Sequence, residues 1–239
     1  MPPAESRIRP VPLRGFSLIE LLVVIAIIAL LIGIIVPSLS GARRAGEQTV
    51  CLANLRQIAQ ASMLYASEHN GASPALGDPW FRAPFWAVVV QQQANPEGES
   101  ASELYVEDSV LVCPSADRQD GPGLTRTYAV NVTGHAGLPG DRDNFDTGPV
   151  FIDTWRVERP DSAPWYFDSA MTAIAGEGPP PTRTVSTLDF RQPEHVENRL
   201  GWRHGAQRDG VGTRFDAAML DGSAEAFEEV GEDWVRPLP

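Results

Sequence analysis

The hydrophobic pattern of the chain changes character twice. From Leu21 to Val36 the sequence reads LLVVIAIIALLIGIIV, 16 residues without a charge. Counted from Phe16 the stretch is 21 residues. As a helix it is roughly 31 Å long at ~1.5 Å per residue, which matches a bilayer core of ~30 Å. A helix satisfies its own backbone hydrogen bonds, as lipid requires, so this segment is expected to enter a membrane. Beyond it the pattern turns amphipathic. Cys51, Leu55, Ile58, Ser62 and Tyr65 recur at steps of 4, 3, 4 and 3, and Leu52, Ala59 and Met63 widen the stripe. That is the period of a helix with one face to bury. Asn70-Gly71, with Pro74 just beyond, supplies a stop. Pro37 lies between the two stretches, and a proline removes a backbone donor, so a kink or local melting is expected near residues 33–37. Strong helix formers resume at once, which predicts one helix over residues 16–70.

From residue 71 the periodicity breaks into short runs between turn signals such as Gly77-Asp78-Pro79, Asp120-Gly121-Pro122 and Pro139-Gly140. Strands are predicted at Thr127–Val132, Pro149–Ile152, Trp165–Asp168, Arg214–Leu220 and Ala224–Glu228. Phe85, Val88, Val89 and Gln92 give a helical phase within residues 83–93. Asp221-Gly222 reads as a hairpin turn, and residues 176–181, GEGPPP, as a loop of polyproline character. The elements predict an α+β molecule, with a long N-terminal helix packed on a small antiparallel sheet. The expected organisation is a leader over 1–15, a transmembrane helix over 16–37, its amphipathic continuation over 38–70 and a globular head over 71–239.

Charge narrows the partners. The net charge is −12, and all 19 basic residues are arginine. Residues 1–60 hold six Arg against three acids, a net of +3, whereas residues 61–239 hold 13 Arg against 28 acids, a net of −15. A distal part of that sign repels phosphate backbones and anionic lipid surfaces, so nucleic acid is not an expected partner.

Three readings compete for the apolar segment: a secretory signal cleaved after it near Ser38-Leu39-Ser40, a plain anchor, and a segment cleaved before it. Glu20 separates them. A carboxylate in a spanning helix costs up to ~2.5–3.5 kcal/mol at the bilayer centre and less near the interface. Neither a signal peptide nor a plain anchor gains from it. Gly15-Phe16-Ser-Leu-Ile-Glu20 and the apolar run behind it resemble the type IV pilin and type II secretion pseudopilin superfamily. The resemblance implies cleavage between Gly15 and Phe16 by prepilin peptidase and N-methylation of Phe16. It also implies a pairing of Glu20 with the terminal amine of a neighbouring subunit. In low dielectric two such charges favour pairing over separate burial. The implied protein is no enzyme. It is a structural subunit of a type II secretion or type IV pilus-like filament, anchored by a single pass in the inner membrane with its head in the periplasm or at the cell surface. The implied partners are prepilin peptidase, an inner-membrane assembly platform and other pilin-like subunits. The runner-up is a membrane-anchored binding module that forms no filament.

The resemblance extends loosely into the head. Cys51-Leu-Ala-Asn54, Tyr65-Ala66, Cys113-Pro114-Ser115, Thr127-Tyr128-Ala129-Val130-Asn131 and a late His204 before Asp221-Gly222 occur in that order in a pilin-like group abundant in planctomycetes. The interval between His204 and Asp221 is longer here, which predicts an inserted loop around Gln207–Gly212 and leaves a shared role of the pair open.

Other candidate chemistry is sparse. Cys51 and Cys113 are either bridged, outside the cytoplasm where disulfides persist, or two buried thiols. His204 has Asp209 and Asp221 near it in sequence, but no nucleophile elbow or HExxH accompanies it, so a structural hydrogen bond is its expected role. Asp141, Asp143 and Asp146 place carboxylates at near-alternate positions of a loop, a pattern that suits calcium. Phe145 and the lack of a closing Glu argue for a solvated acidic loop with no metal, and no cofactor is expected. The tryptophans and phenylalanines from Trp80 to Trp202 are expected to serve mostly as core.

Overall fold

The computed structural model describes residues 17–77, 85–94, 109–145, 147–170, 184–208 and 211–239. Gly15, Phe16, Trp80, Phe81, Asp146, Asp209 and the 176–181 loop lie outside them. The chain divides into two compact units, the first ending at Arg43 and the second covering Arg44–Pro239.

Helix α1 covers Leu18–Glu68. It runs unbroken through residue 37, without the expected melting. In the first unit its Leu, Ile and Val side chains from Leu18 to Val36 are exposed, and it is the one described helix long and apolar enough to cross a membrane. This is consistent with a single-pass inner-membrane topology.

In the second unit the same helix is amphipathic. Cys51, Leu55, Ile58, Ala59, Ser62 and Ala66 are buried, so the predicted stripe is the buried one, with Ala66 at its end where Tyr65 is only half-buried. Met63 faces solvent. The helix ends where Asn70 and Gly71 adopt φ of 55° and 86° and the Gly71 N–H reaches back to the Ala66 carbonyl at 2.8 Å, a left-handed cap that glycine takes without strain. A Cβ on Gly71 would also meet the Trp155 ring at 2.6 Å.

The sheet of the second unit has six strands: β1 Tyr128–Asn131, β2 Pro164–Asp168, β3 Thr187–Leu188, β4 His204–Arg208, β5 Val211–Met219 and β6 Ala224–Phe227. The order is β3-β1-β2-β5-β4, and β6 pairs the distal half of β5. The α+β architecture is the one expected, but the sheet is mixed because β3 runs parallel to β1. Short helices α2 Trp86–Ala94, α3 Ala116–Asp120 and α4 Pro193–Arg199 complete the head.

Side-chain alternation sends successive strand residues to opposite faces, and both faces are covered. Tyr128 and Val130 join Ala218, Trp86, Leu55 and Ile58 in one core. Ala129 joins Phe167, Leu188, Phe215, Ala217 and Trp234 in the other. Trp165 and Tyr166 both enter the first core, which the register shift between Pro164 and Tyr166 permits.

Two expectations are corrected. Residues 149–152 are no strand of the sheet: the carbonyls of Val150 and Ile152 accept the N–H groups of Leu76 and Ser73 at 3.0 and 2.9 Å, so this segment pairs with the chain leaving α1. The excess around Gln207–Gly212 lengthens a hairpin, since Gln207 pairs Gly212 and Arg208 pairs Val211.

Candidate functional site

Two places carry chemistry. The first is the start of α1. Ser17 and Glu20 have the S-x-x-E spacing of a capping box. The Ser17 backbone N–H donates to Glu20 Oε2 at 2.9 Å, and the Ile19 N–H approaches Ser17 Oγ at 3.4 Å. Glu20 therefore has a partner within its own chain, at the positive end of the helix dipole where a carboxylate is favoured.

The second lies deep in the head, where Cys51 of α1 and Cys113 are joined in a disulfide, with Cα atoms 4.9 Å apart and 62 residues between them in sequence. Asn54, one turn along α1, donates to the Val112 carbonyl at 2.9 Å. Beside the bridge stands His204, at the start of β4, with Nε2 3.6 Å from Cys113 Sγ. The same nitrogen lies 3.1 Å from Asp168 Oδ2 and 3.2 Å from Asp216 Oδ2. Both carboxylates are fully buried and His204 almost so. Asp168 ends β2 and Asp216 sits within β5. The Asp216 N–H donates to Asp168 Oδ2 at 3.0 Å, and Gln48 of α1 donates through Nε2 to Asp216 Oδ1 at 3.0 Å. Arg203, the neighbour of His204, pairs with Asp120 and donates to the Ser169 carbonyl.

Burial and the adjacent Asp168 charge push the Asp216 carboxyl up to about 7, against the pull of His204 and Gln48. Burial depresses the His204 imidazole, but the hydrogen bond with Asp168 and the charges of Asp168 and Asp216 outweigh it and leave its pKa raised. Burial, reinforced by Asp168, also drives the Tyr128 phenol well up. The cluster carries no nucleophile among its described members: the sulfurs are bridged and the carboxylates are sealed from solvent.

Asp221 is not a partner of His204. Asp221 caps the β5–β6 turn, accepting from the Ser223 N–H at 2.8 Å and the Ser223 hydroxyl at 2.6 Å. The partners of His204 are Asp168, on β2 well before it in sequence, and Asp216, on the adjoining strand β5. A lone acid closing the apolar run Trp165-Tyr-Phe-Asp168, and another inside Phe215-Asp216-Ala217, were the available signals, because a charge in a buried strand must find a partner.

The acidic loop is tied down by protein groups. Asp141 takes Arg191 on both oxygens, at 2.5 and 2.9 Å, and the N–H groups of Ala136 and Leu138 at 3.0 and 2.9 Å. The Arg191 hydrogen bond leads in holding the Asp141 carboxyl down at about 2, against its burial. Asp143 pairs with His135 Nδ1 at 2.5 Å. A calcium ion held by Asp141 would have to displace Arg191.

Residues 14–36 match the family model described as the prokaryotic N-terminal methylation motif. Among curated proteins the chain is 42% identical, over 57 residues, to the type IV wide pilus major component PilA4 of Thermus thermophilus. The match covers 24% of this chain and 44% of that protein. No solved structure matches the chain. The motif, the helix and this similarity point, over the N-terminal part of the chain, to the type IV pilin and pseudopilin superfamily.

Proposed function

We propose that this chain is a pilin-like or pseudopilin-like structural subunit. Prepilin peptidase removes residues 1–15 between Gly15 and Phe16, and Phe16 is then N-methylated. Residues 16–37 cross the inner membrane, 38–70 continue the helix, and 71–239 form the head in the periplasm or at the cell surface. An inner-membrane platform assembles the subunit with like subunits into a type II secretion or type IV pilus-like filament. The observation that carries this reading is the methylation motif over residues 14–36, which places Glu20 in the first turn of the apolar helix. During assembly Glu20 exchanges the Ser17 amide for the terminal amine of a neighbouring subunit, a charged and stronger donor. The late His204 and the Asp221-Gly222 hairpin favour the group abundant in planctomycetes.

N-terminal mass spectrometry of the mature chain tests it. A start at methyl-Phe16 is expected, and a start near Gly41 or at Met1 refutes it. Correct processing without any polymer in the cell would instead favour the membrane-anchored binding module.

A further inference from the structure

We infer that Asp168, His204 and Asp216 form a structural site for one divalent first-row transition ion of the zinc class, built into the disulfide-bonded head.

With both carboxylates ionised, hydrogen bonding alone leaves this cluster incomplete. One ring nitrogen, which carries at most one proton, faces two carboxylate oxygens at 3.1 and 3.2 Å. Asp168 Oδ1 and Asp216 Oδ2 are buried without a hydrogen bond. A sealed acceptor left unmet keeps its full desolvation cost, which is larger when it is charged. A cation among these atoms meets both.

The spacing suits such an ion. The three donor atoms lie within 4.8 Å of one another. Ligand atoms held at ~2.0–2.1 Å from a common centre stand about 2.8–3.4 Å apart between octahedral and tetrahedral arrangements. The two separations from Nε2 are of this size.

The surroundings hold the ligands in place. Gln48 fixes Asp216 through Oδ1, and the Asp216 N–H fixes Asp168 through Oδ2. Outer hydrogen bonds of this kind orient metal ligands. Two carboxylates and a neutral imidazole sum to −2, which a dication neutralises. An imidazole with only two carboxylates selects against magnesium and calcium, which prefer all-oxygen shells. Cys113 Sγ is near, but as half of a disulfide it is no thiolate. The ion enters as the head folds, because all three ligands are closed to solvent.

The test uses the full chain purified in detergent with the bridge intact. It is incubated with zinc, desalted and analysed for metal content, and separately titrated with cobalt(II). One equivalent per chain is expected. The cobalt spectrum should show visible bands and no near-ultraviolet thiolate band. Asp216→Asn, close in shape, and His204→Gln should each weaken uptake by at least roughly 100-fold, and Gln48→Leu by about tenfold. Circular dichroism and an intact-mass check of the bridge establish that each variant is folded. Absence of uptake by the folded natural chain overturns the proposal. So does undiminished uptake by folded His204→Gln, or uptake that appears only after the bridge is reduced.

Discussion

Glu20 accepts the backbone N–H of Ser17 at 2.9 Å, so the acid at the head of the apolar helix has a partner before any second subunit arrives. The cap that this carboxylate forms on its own helix and the pairing with a neighbour proposed above are separable by substitution. Glu20→Gln keeps a side-chain acceptor for the Ser17 amide and removes the charge. Ser17→Ala keeps the charge and removes the cap hydroxyl, at a cost of about 0.5–2 kcal/mol in helix stability. The expected outcome is that Glu20→Gln loses subunit incorporation into sheared filaments while Ser17→Ala retains it. Immunoblotting of the sheared fraction reads both.

The bridge between Cys51 and Cys113 closes a loop with a sequence separation of 62. In the chain-entropy model this stabilises the head by roughly 4 kcal/mol. Replacing both cysteines by serine should lower the melting temperature of the detergent-solubilised chain by about 10 °C, given ~2–4 °C per kcal/mol for a domain of this size. A thermal scan at fixed protein concentration measures it.

Acid should loosen the head through Asp141. Its folded pKa, about 2, lies below its ordinary 3.8. Its contribution is therefore full above pH ~4 and is lost as the pH falls towards 2. The Asp141 side chain is enclosed but its Arg191 partner is partly exposed, so solvent screening leaves the shift worth about 1 kcal/mol of stability. Urea denaturation at pH 6 and pH 3 should show the loss. Asp141→Asn should be less stable at pH 6 and should lose less further stability between the two values.

Ser62 and Tyr166 share a buried hydroxyl contact of 2.7 Å that joins α1 to β2. Burial drives the Tyr166 phenol upward, only partly opposed by this hydrogen bond, so it stays protonated. Tyr166→Phe and Ser62→Ala should each cost about 1 kcal/mol or somewhat more, since each strands the other hydroxyl. The double variant should cost less than the sum, and a double-mutant cycle in urea gives the coupling.

Legibility in the sequence followed the range of the interactions. Cys51, Leu55, Ile58 and Ser62 announced their common face because a helix writes its burial every three or four residues. The Asp221-Gly222 hairpin was readable from the turn alone, and Gly222 has φ 85°. By contrast α4, PEHVENR, buries no residue of its own and leaves no apolar period. Strand β4, HGAQR, lacks the branched and aromatic residues that mark strands. Its existence depends on pairing with β5. Residues 149–152 had the composition of a strand but found their partners at Ser73 and Leu76. The His204 cluster was half visible. The histidine stands out, but Asp221 caps a turn, and it is the β4–β5 pairing that brings Asp216 to the imidazole and the β2–β5 pairing that brings Asp168.

The same covalent tie has a mechanical meaning. In the filament proposed above, tension would reach each subunit through its helix. Without the bond between residues 51 and 113, such a pull would be resisted only by side-chain packing and hydrogen bonds, which peel apart one contact at a time. With it, the segment around Leu111–Cys113 is dragged along with the rod, and Thr127, whose N–H bonds the Leu111 carbonyl at 2.8 Å, passes the strain into β1. The subunit is thereby suited to stretch as one body rather than to shed its head.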